Sequence, residues 1–566
     1  MDSKEQLQAV QQASPREMKP QAFDMIHERR SANYKPNIWN YDYIQSLSSI
    51  YEGQEYERRA QTLIVNVKDL FAEAVDKVAK LELIDKVKKL GLDSHFDVEI
   101  KEALDIISST KNKNPSPKED LYTTALCFRL LRQHGYEVSQ DMFRGFMDEK
   151  AGLFKKSTRT NIKEMLELLE AAHLALEGED IMDAARDFST ETLKDCIPNL
   201  DCDLAEQVSH VFELPSQRRV QWFDVKWHIK AYEKDRHMNA MLLELAKLHF
   251  NIVQATLQKD LRESSRWWSN LGVIEKLSFA RDRLVESFMC SVAMAFEPKY
   301  TCLRKWLTKV ISLILLIDDV YDIFGTFEEL KQFTNAVNRW DVIETQQLPE
   351  CMKICFLALY NTTNEIANEI QKEKGWNQLL PHLKKAWTDF CNALFVEAKW
   401  YNMGYTPSLQ EYLSNAQMSS TAPLLLVHEL FSMGYEVTKG MEDFLEKNQE
   451  IAYNISMIIR LCNDLVTSVA EQERGDAPSS IVCYMREANV SEEIARMHIQ
   501  GMINKTWKKI NGQCFKQFPK LQFVNITTNT ARMAHSIYQN EDGFGVQDQG
   551  MKKNILSLLV KPFMLC

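Results

Sequence analysis

Apolar residues recur at helical spacing along almost the whole of this 566-residue chain. Leu242, Leu245, Leu248, Ile252 and Ala255 step by three or four, which gathers them on one face of a helix. Met165, Leu169, Ala172 and Leu176 repeat the pattern, and a looser version runs from Phe356 through Leu359 and Ile366 to Ile370. Alternating runs rich in Val, Ile and Thr are scarce, so there is little from which to build sheets. Turn formers are few as well, with 18 glycines and 15 prolines over the full length. Long helices with short connections follow. Collagen-like, linker-rich, disordered and many-turned all-β classes are excluded.

The length exceeds that of one average domain. Asn114–Lys118 (NPSPK) and Glu213–Gln217 (ELPSQ) read as loops, and the helical pattern resumes over Gln221–Glu233. A boundary near 235–240 gives a polar leader (1–28), an N-terminal helical domain (29–237) and a C-terminal helical domain (238–566). The expected class is all-α with two helical domains.

Net charge is −11, from 68 Lys and Arg against 79 Asp and Glu, so a broad nucleic-acid surface is excluded. An acidic chain still binds an anionic substrate when metal ions sit between them. The apolar run Val310–Ile317 is too short to span a membrane and includes Ser312. The first 28 residues carry Asp2, Glu5, Glu17, Asp24 and Glu28, unlike an import peptide. Twelve cysteines are scattered without a CxxC pair, and Cys351 and Cys355 read as packed thiols on one helix. His428-Glu429 begins HExxS, not the HExxH of a zinc protease, and there is no P-loop or GxGxxG string. The expectation is a reduced, soluble, cytoplasmic protein.

Two acidic motifs carry the chemistry. Asp318-Asp319-Val-Tyr-Asp322 follows the apolar run directly. On a regular helix, residues four apart differ by about 40° and rise about 6 Å, so Asp318 and Asp322 share a face and Asp319 lies about 100° round. Like charges placed so close, where solvation is poor, are best kept together by a cation. Mg²⁺ suits, because it takes one or two carboxylates plus water and phosphate oxygens. The second motif is Asn463-Asp464-Leu-Val-Thr467-Ser-Val-Ala-Glu471. Asn463, Thr467 and Glu471 lie along one helix face and offer an amide oxygen, a hydroxyl and a carboxylate, all hard ligands for Mg²⁺ or Mn²⁺. Arg281 and Arg283 upstream, and Arg460 one turn before Asn463, supply forked donors for phosphate oxygens.

This set resembles the plant class I terpene synthases. Arg29-Arg30, eight residues and then Trp39 adds that family's RR-x8-W string. Strings such as FELPSQRRVQWFDVKW, ESSRWWSNLG and AEQERGDAPSSIVCYMRE are similar to its farnesene-forming branch. The resemblance covers residues 29–566. It implies a C-terminal class I helical barrel and an N-terminal relic barrel without chemistry of its own. The protonating class of active site needs DxDD, whereas Asp201-Cys-Asp203-Leu204 lacks the last Asp.

The resemblance also implies roles. Three divalent ions would clamp the diphosphate of a prenyl diphosphate, two through Asp318 and Asp322 and one through Asn463, Thr467 and Glu471. Asp319 would support them from behind. Arg281 and Arg460 would bind phosphate oxygens, with Arg283 near a closing lid. Trp268, Tyr321 and Phe324 are candidates to face the allylic cation, with ordinary core packing as the plain alternative for each. Arg29 and Arg30 would fold over the mouth, Asp542 and Phe544 would form a lip, and Ser419–Thr421 would break a helix. Many cyclising members carry an aromatic residue where this chain has Cys290. Early proton loss is therefore expected, giving an acyclic sesquiterpene, (E,E)-α-farnesene, from farnesyl diphosphate in a monomeric enzyme. The RR-x8-W string keeps geranyl diphosphate and (E)-β-ocimene as an alternative. A chain-elongating prenyltransferase, which normally has a second DDxxD, and a non-catalytic helical scaffold are remoter ones.

Overall fold

The computed structural model describes residues 32–111, 119–148, 152–155, 157, 161–375, 379–432, 449–516, 521–539 and 541–565. The leader 1–28, Arg29, Arg30 and the loop at 114–118 lie outside the described residues. Helix dominates, as the apolar spacing predicts. The strands among the described residues are two antiparallel dipeptides, Met147–Asp148 and Leu153–Phe154. No described helix is long and apolar enough to cross a membrane.

The first half contains α1 (Tyr41–Ser46), α2 (Gln54–Glu73), α3 (Lys77–Lys89), α4 (Asp97–Lys111), α5 (Leu121–Gln133), α6 (Ile162–Ala172), α7 (Asp180–Cys196), α8 (Cys202–Glu213) and α9 (Gln221–Lys234). The second contains α10 (Ala240–Leu271), α11 (Leu284–Met294), α12 (Thr301–Asp319), α13 (Phe327–Arg339), α14 (Glu350–Lys374), α15 (Leu379–Met403), α16 (Leu409–Ser419), α17 (Ala422–Ser432), α18 (Gln449–Arg474), α19 (Ser480–Ala488), α20 (Glu492–Lys516), α21 (Leu521–Ile537) and α22 (Gln549–Leu559).

Side-chain caps start many of these helices. Asp76, Asp120 and Asn239 accept backbone N–H groups at the heads of α3, α5 and α10. Asp201 does the same for α8, accepting from the Leu204 N–H at 2.9 Å. The incomplete DxDD string is thus a helix start. The apolar face of α10 is buried, with Ile252 half-buried, and Phe356, Leu359, Ile366 and Ile370 are buried on α14. The repeat from Met165 is helical only as far as Ala172, and Leu176 lies in the turn beyond α6.

Residues 235–239 separate α9 from α10. Across that break Trp222 of α9 stacks on Phe250 and Phe296, with centroids 4.7 and 5.3 Å away. Lys508 of α20 reaches Asp183 of α7 at 2.7 Å, and the Gln217 amide donates to Asn511 at 3.0 Å. One apolar cluster runs from Trp39 to Phe563 and takes side chains from both halves. The halves therefore share core as well as sequence.

Helix α12 delivers the first acidic motif. Val310–Ile317 is buried throughout, each of its apolar side chains contributing about 1.5–3 kcal/mol, while the Ser312 hydroxyl donates to the Thr308 carbonyl at 2.8 Å. Near its start, the fully buried Arg304 donates to Asp260 of α10 at 2.5 Å and to the Ala295 carbonyl. Losing one partner of such a pair costs about 3–5 kcal/mol. The α-helix ends at Asp319 and continues as a π turn over Val320–Phe324. Asp318 and Asp322 thus do not lie on one face of a regular α-helix; they straddle the change from α to π, where the backbone spacing widens. Gly325 ends the turn. A Cβ there would meet the Leu330 side chain at 2.4 Å, so any larger residue would displace Leu330 from its place at the start of α13. Thr326 and Glu329 then form a capping box that starts α13.

Candidate active site

Asp318 is half-buried, Asp319 is fully buried and Asp322 is accessible. The Arg281 guanidinium donates to Asp318 at 2.5 Å and lies 3.0 Å from Asp319, whose other oxygen accepts the Arg281 backbone N–H at 2.9 Å. The remaining Asp319 oxygen, Oδ1, is buried and has no aligned donor. Burial pushes the Asp319 carboxyl up to about 6, with Arg281 and a hydrogen bond from Tyr34 pulling the other way.

On α18, Asn463 and Glu471 are half-buried and Thr467 is buried. The Thr467 hydroxyl donates to the Asn463 carbonyl at 3.1 Å. Asp464 points elsewhere: it accepts from the Tyr412 hydroxyl with both oxygens at 3.0 Å and from the Ser480 N–H at 2.9 Å. It fixes α18 against α16 and α19, leaving the Asn463, Thr467 and Glu471 face free. Arg460 donates to Asn463 at 3.4 Å and to the Ser419 hydroxyl at 3.3 Å.

Electrostatics brings the two motifs into one space. Asp322 is accessible yet deep among protein atoms, as a group lining an internal recess is. Burial first, and then the charges of Asp318, Glu397, Asp476 and Glu471, hold its carboxyl well above the usual range. Glu471 is pushed up to about 7, by burial and then by Asp464, against the pull of Thr467 and Arg460. Burial also raises Glu397, with Arg460 and the Ser419 hydroxyl, 2.5 Å away, opposing. Carboxylates from α12, the π turn, α15 and α18 outnumber the two arginines among them. The potential ligands are all oxygen atoms. Such a set fits a hard divalent cation.

Two chain segments close over this space. From the N-terminal side, Tyr34 places its ring 5.0 Å from the Arg281 guanidinium carbon, Asn37 donates to Asp282 at 2.9 Å, and the Trp39 indole donates to Glu286 at 2.9 Å. From the C-terminal side, Gln547 donates to Glu286 at 2.7 Å, and the Phe544 carbonyl accepts from Arg283 at 2.8 Å. Arg283 also donates to the Lys35 carbonyl at 3.3 Å. Its guanidinium therefore clasps the two closing segments, whereas Arg281 and Arg460 stand among the carboxylates. Asp542 caps the turn that presents Phe544, accepting its N–H at 3.1 Å.

The aromatic candidates divide. Trp268 is buried, its indole donating to Asp282 at 2.9 Å. Phe324 stacks on Phe279 at 4.2 Å, tying the π turn to the segment that leads into Arg281. Tyr321 hydrogen-bonds with Thr334 at 2.7 Å and meets Phe333 edge-on, so it belongs to the packing against α13. Cys290 is buried on α11. The chain breaks between α16 and α17 at Ser420–Thr421, where Thr421 holds φ +72, a strained value for a β-branched residue.

Four residues of this space were not singled out from the sequence: Tyr34, Glu397, Asp476 and Tyr538. Burial raises the Tyr538 phenol, with Asp542 and Cys290 adding to the rise and Arg460 and Arg281 opposing it. Glu397 carried the one readable sign, a carboxylate set among Phe395, Val396 and Ala398. A cleft of about 1300 Å³ runs beside α8 and α9 and reaches Glu286 and Gly543, but none of the acidic-motif residues lines it. The convergence of charged groups, and not cleft size, marks the site.

Comparison with known proteins places these features in a family. Residues 38–212 match the terpene synthase N-terminal domain, and residues 269–509 match the terpene synthase metal-binding domain, which spans both motifs. The chain is 59% identical over 550 residues to an α-farnesene synthase of Ricinus communis, covering 96% of this chain and 97% of that one. It is also 59% identical over 553 residues to an (E,E)-α-farnesene synthase of Malus domestica, covering 96% of each. Among solved structures it is similar to grey poplar isoprene synthase in complex with three Mg²⁺ ions and dimethylallyl-S-thiolodiphosphate, with a TM-score of 0.85, 43% identity, and 93% of this chain and 99% of that one covered.

Proposed function

This chain belongs to the terpene synthase family, and we propose that it converts farnesyl diphosphate into the acyclic sesquiterpene (E,E)-α-farnesene and diphosphate. The observation that carries this reading is the meeting of the Asp318–Asp322 and Asn463–Glu471 segments around one space, with Arg281 and Arg460 at its edges. The product assignment is supported by the 59% identity to two α-farnesene synthases over nearly the full length.

The enzyme uses divalent metal. Asp318 and Asp322 would hold two of three Mg²⁺ (or Mn²⁺) ions, and Asn463, Thr467 and Glu471 the third. When bound, the ions supply positive charge that stabilises diphosphate as a leaving group. Arg281 and Arg460 add charged donors for phosphate oxygens. Asp319 holds the Arg281 backbone and side chain in place. The C1–O bond breaks with its electron pair leaving on diphosphate. A proton is then lost from a carbon next to the allylic cation, forming the new double bond, and diphosphate takes it up. Arg283 fastens residues 35 and 544 over the mouth, which excludes the water that would otherwise give an alcohol. Trp268 braces Asp282 beneath that clasp. At Cys290 there is no aromatic face to favour a cyclised cation.

The enzyme proposed is a monomer that meets its C15 substrate in the cytoplasm. The test is incubation of the purified protein with farnesyl or geranyl diphosphate and Mg²⁺, with identification of the volatiles. α-Farnesene should dominate with the C15 substrate and (E)-β-ocimene with the C10 one. Cyclic sesquiterpenes as main products would refute the product assignment. Asp318→Ala should lower turnover by about 10²-fold or more, and retained activity would refute the metal assignment.

A further inference from the structure

A second cluster takes no part in this reaction. His210 on α8, and Asp224 and His228 one turn apart on α9, bring their ligand atoms within 4.8 Å of one another. His210 Nε2 is 2.8 Å from Asp224 Oδ1, and His228 Nε2 is 3.0 Å from Oδ2. A plain His–Asp–His network is the obvious account, and its His210 contact is close but poorly aligned. The His210 Nε2 is buried and close to a carboxylate oxygen, yet it has no aligned hydrogen-bond partner. Tetrahedral bonds of about 2.0–2.1 Å set ligand atoms roughly 3.3 Å apart, so binding an ion asks the two His–Asp contacts to lengthen slightly and the imidazoles, which face different oxygens of Asp224, to converge on one point.

The surroundings suit an ion. Asp224 is buried between the two half-buried imidazoles, so all three ligand groups meet where little water competes. Trp227 stacks on His210 at 3.9 Å and 3°, fixing the ring orientation. The cluster lines the cleft of about 1300 Å³ beside α8 and α9, which leaves room for water in further positions. Arg219 works against binding, with Nη1 3.7 Å from Oδ1. Its Nε and Nη2, however, donate to the Leu214 and His210 carbonyls. Two imidazoles and one carboxylate select borderline ions over Mg²⁺.

We propose that His210, Asp224 and His228 bind one borderline divalent ion of the Zn²⁺ or Co²⁺ type, separate from the catalytic carboxylates, and that this ion ties α8 to α9. The test uses chelator-stripped, Mg²⁺-saturated full-length protein titrated with Co²⁺ and followed by visible ligand-field absorption. One Co²⁺ per chain should give the band of a low-coordinate ion, Zn²⁺ should displace it, and the thermal unfolding midpoint should rise with either metal. The band should persist in Asp318→Ala, weaken at least about tenfold in both His228→Gln and His210→Gln, and tighten in Arg219→Gln. Circular dichroism verifies that each variant is folded. Absence of the band in Mg²⁺-saturated protein, its loss in Asp318→Ala, or unchanged affinity in both histidine variants overturns the proposal.

Discussion

Tyr34 covers Arg281: its ring lies 5.0 Å from the guanidinium carbon while its hydroxyl bonds to Asp319, the carboxylate that holds the same arginine. A residue near the start of the described chain thus touches both Arg281 and the first acidic motif. Tyr34→Ala should lower kcat/KM for farnesyl diphosphate about fivefold, the worth of roughly 1 kcal/mol of cation–π contact. It should also raise the fraction of terpene alcohol as the mouth leaks water. Tyr34→Phe should keep most of the affinity. Steady-state kinetics with product analysis by gas chromatography checks both, and an unaltered profile in Tyr34→Ala would count against the cover.

Glu397 faces Asp318 and Arg460 from α15. If it belongs to the cation-binding set, Glu397→Gln should raise the Mg²⁺ concentration for half-maximal activity by about tenfold or more. The gap should narrow at high Mg²⁺. A metal titration of activity shows whether it does.

Asp464 is a positioning group. Asp464→Ala leaves the buried Tyr412 hydroxyl and Ser480 N–H without their acceptor, a loss of about 2–4 kcal/mol. The thermal midpoint and turnover should fall together. Tyr412→Phe removes one donor only and should cost less on both measures.

Glu429 on α17 accepts from Thr530 at 2.7 Å and from Thr527 at 3.4 Å, and burial pushes its carboxyl from 4.5 to about 7. The folded chain therefore holds this proton more tightly than the unfolded chain does. Its stabilising contribution is complete below pH 4.5 and is lost as pH rises to 7 and just beyond. Between pH 6 and 8 the loss is about 1.4 kcal/mol. Glu429→Gln should flatten the fall in stability over that range, as read by denaturant unfolding at the two pH values.

The helical class was legible because apolar spacing is a local property, and the faces of α10, α12 and α14 are buried where it predicts. Both acidic motifs were legible for the same reason, since their residues lie within one or two turns. Arg283 was legible as a basic residue but not as a clasp, because its acceptors are the carbonyls of Lys35 and Phe544, far away along the chain. Tyr321 was legible as an aromatic beside the motif, but the direction it faces depends on Thr334 and Phe333 of α13.

By itself the sequence determined an all-helical chain with two oxygen-rich segments and arginines beside them, because a residue's helical neighbours are its neighbours in sequence. Tertiary structure alone decided that Asp322 feels Glu397, Asp476 and Glu471, that Tyr34 lies over Arg281, and that His210 meets Asp224 and His228. It also decided that α12 ends in a π turn. Each depends on how separately formed helices pack, and the charge carried by a buried carboxylate is set by what that packing brings within reach.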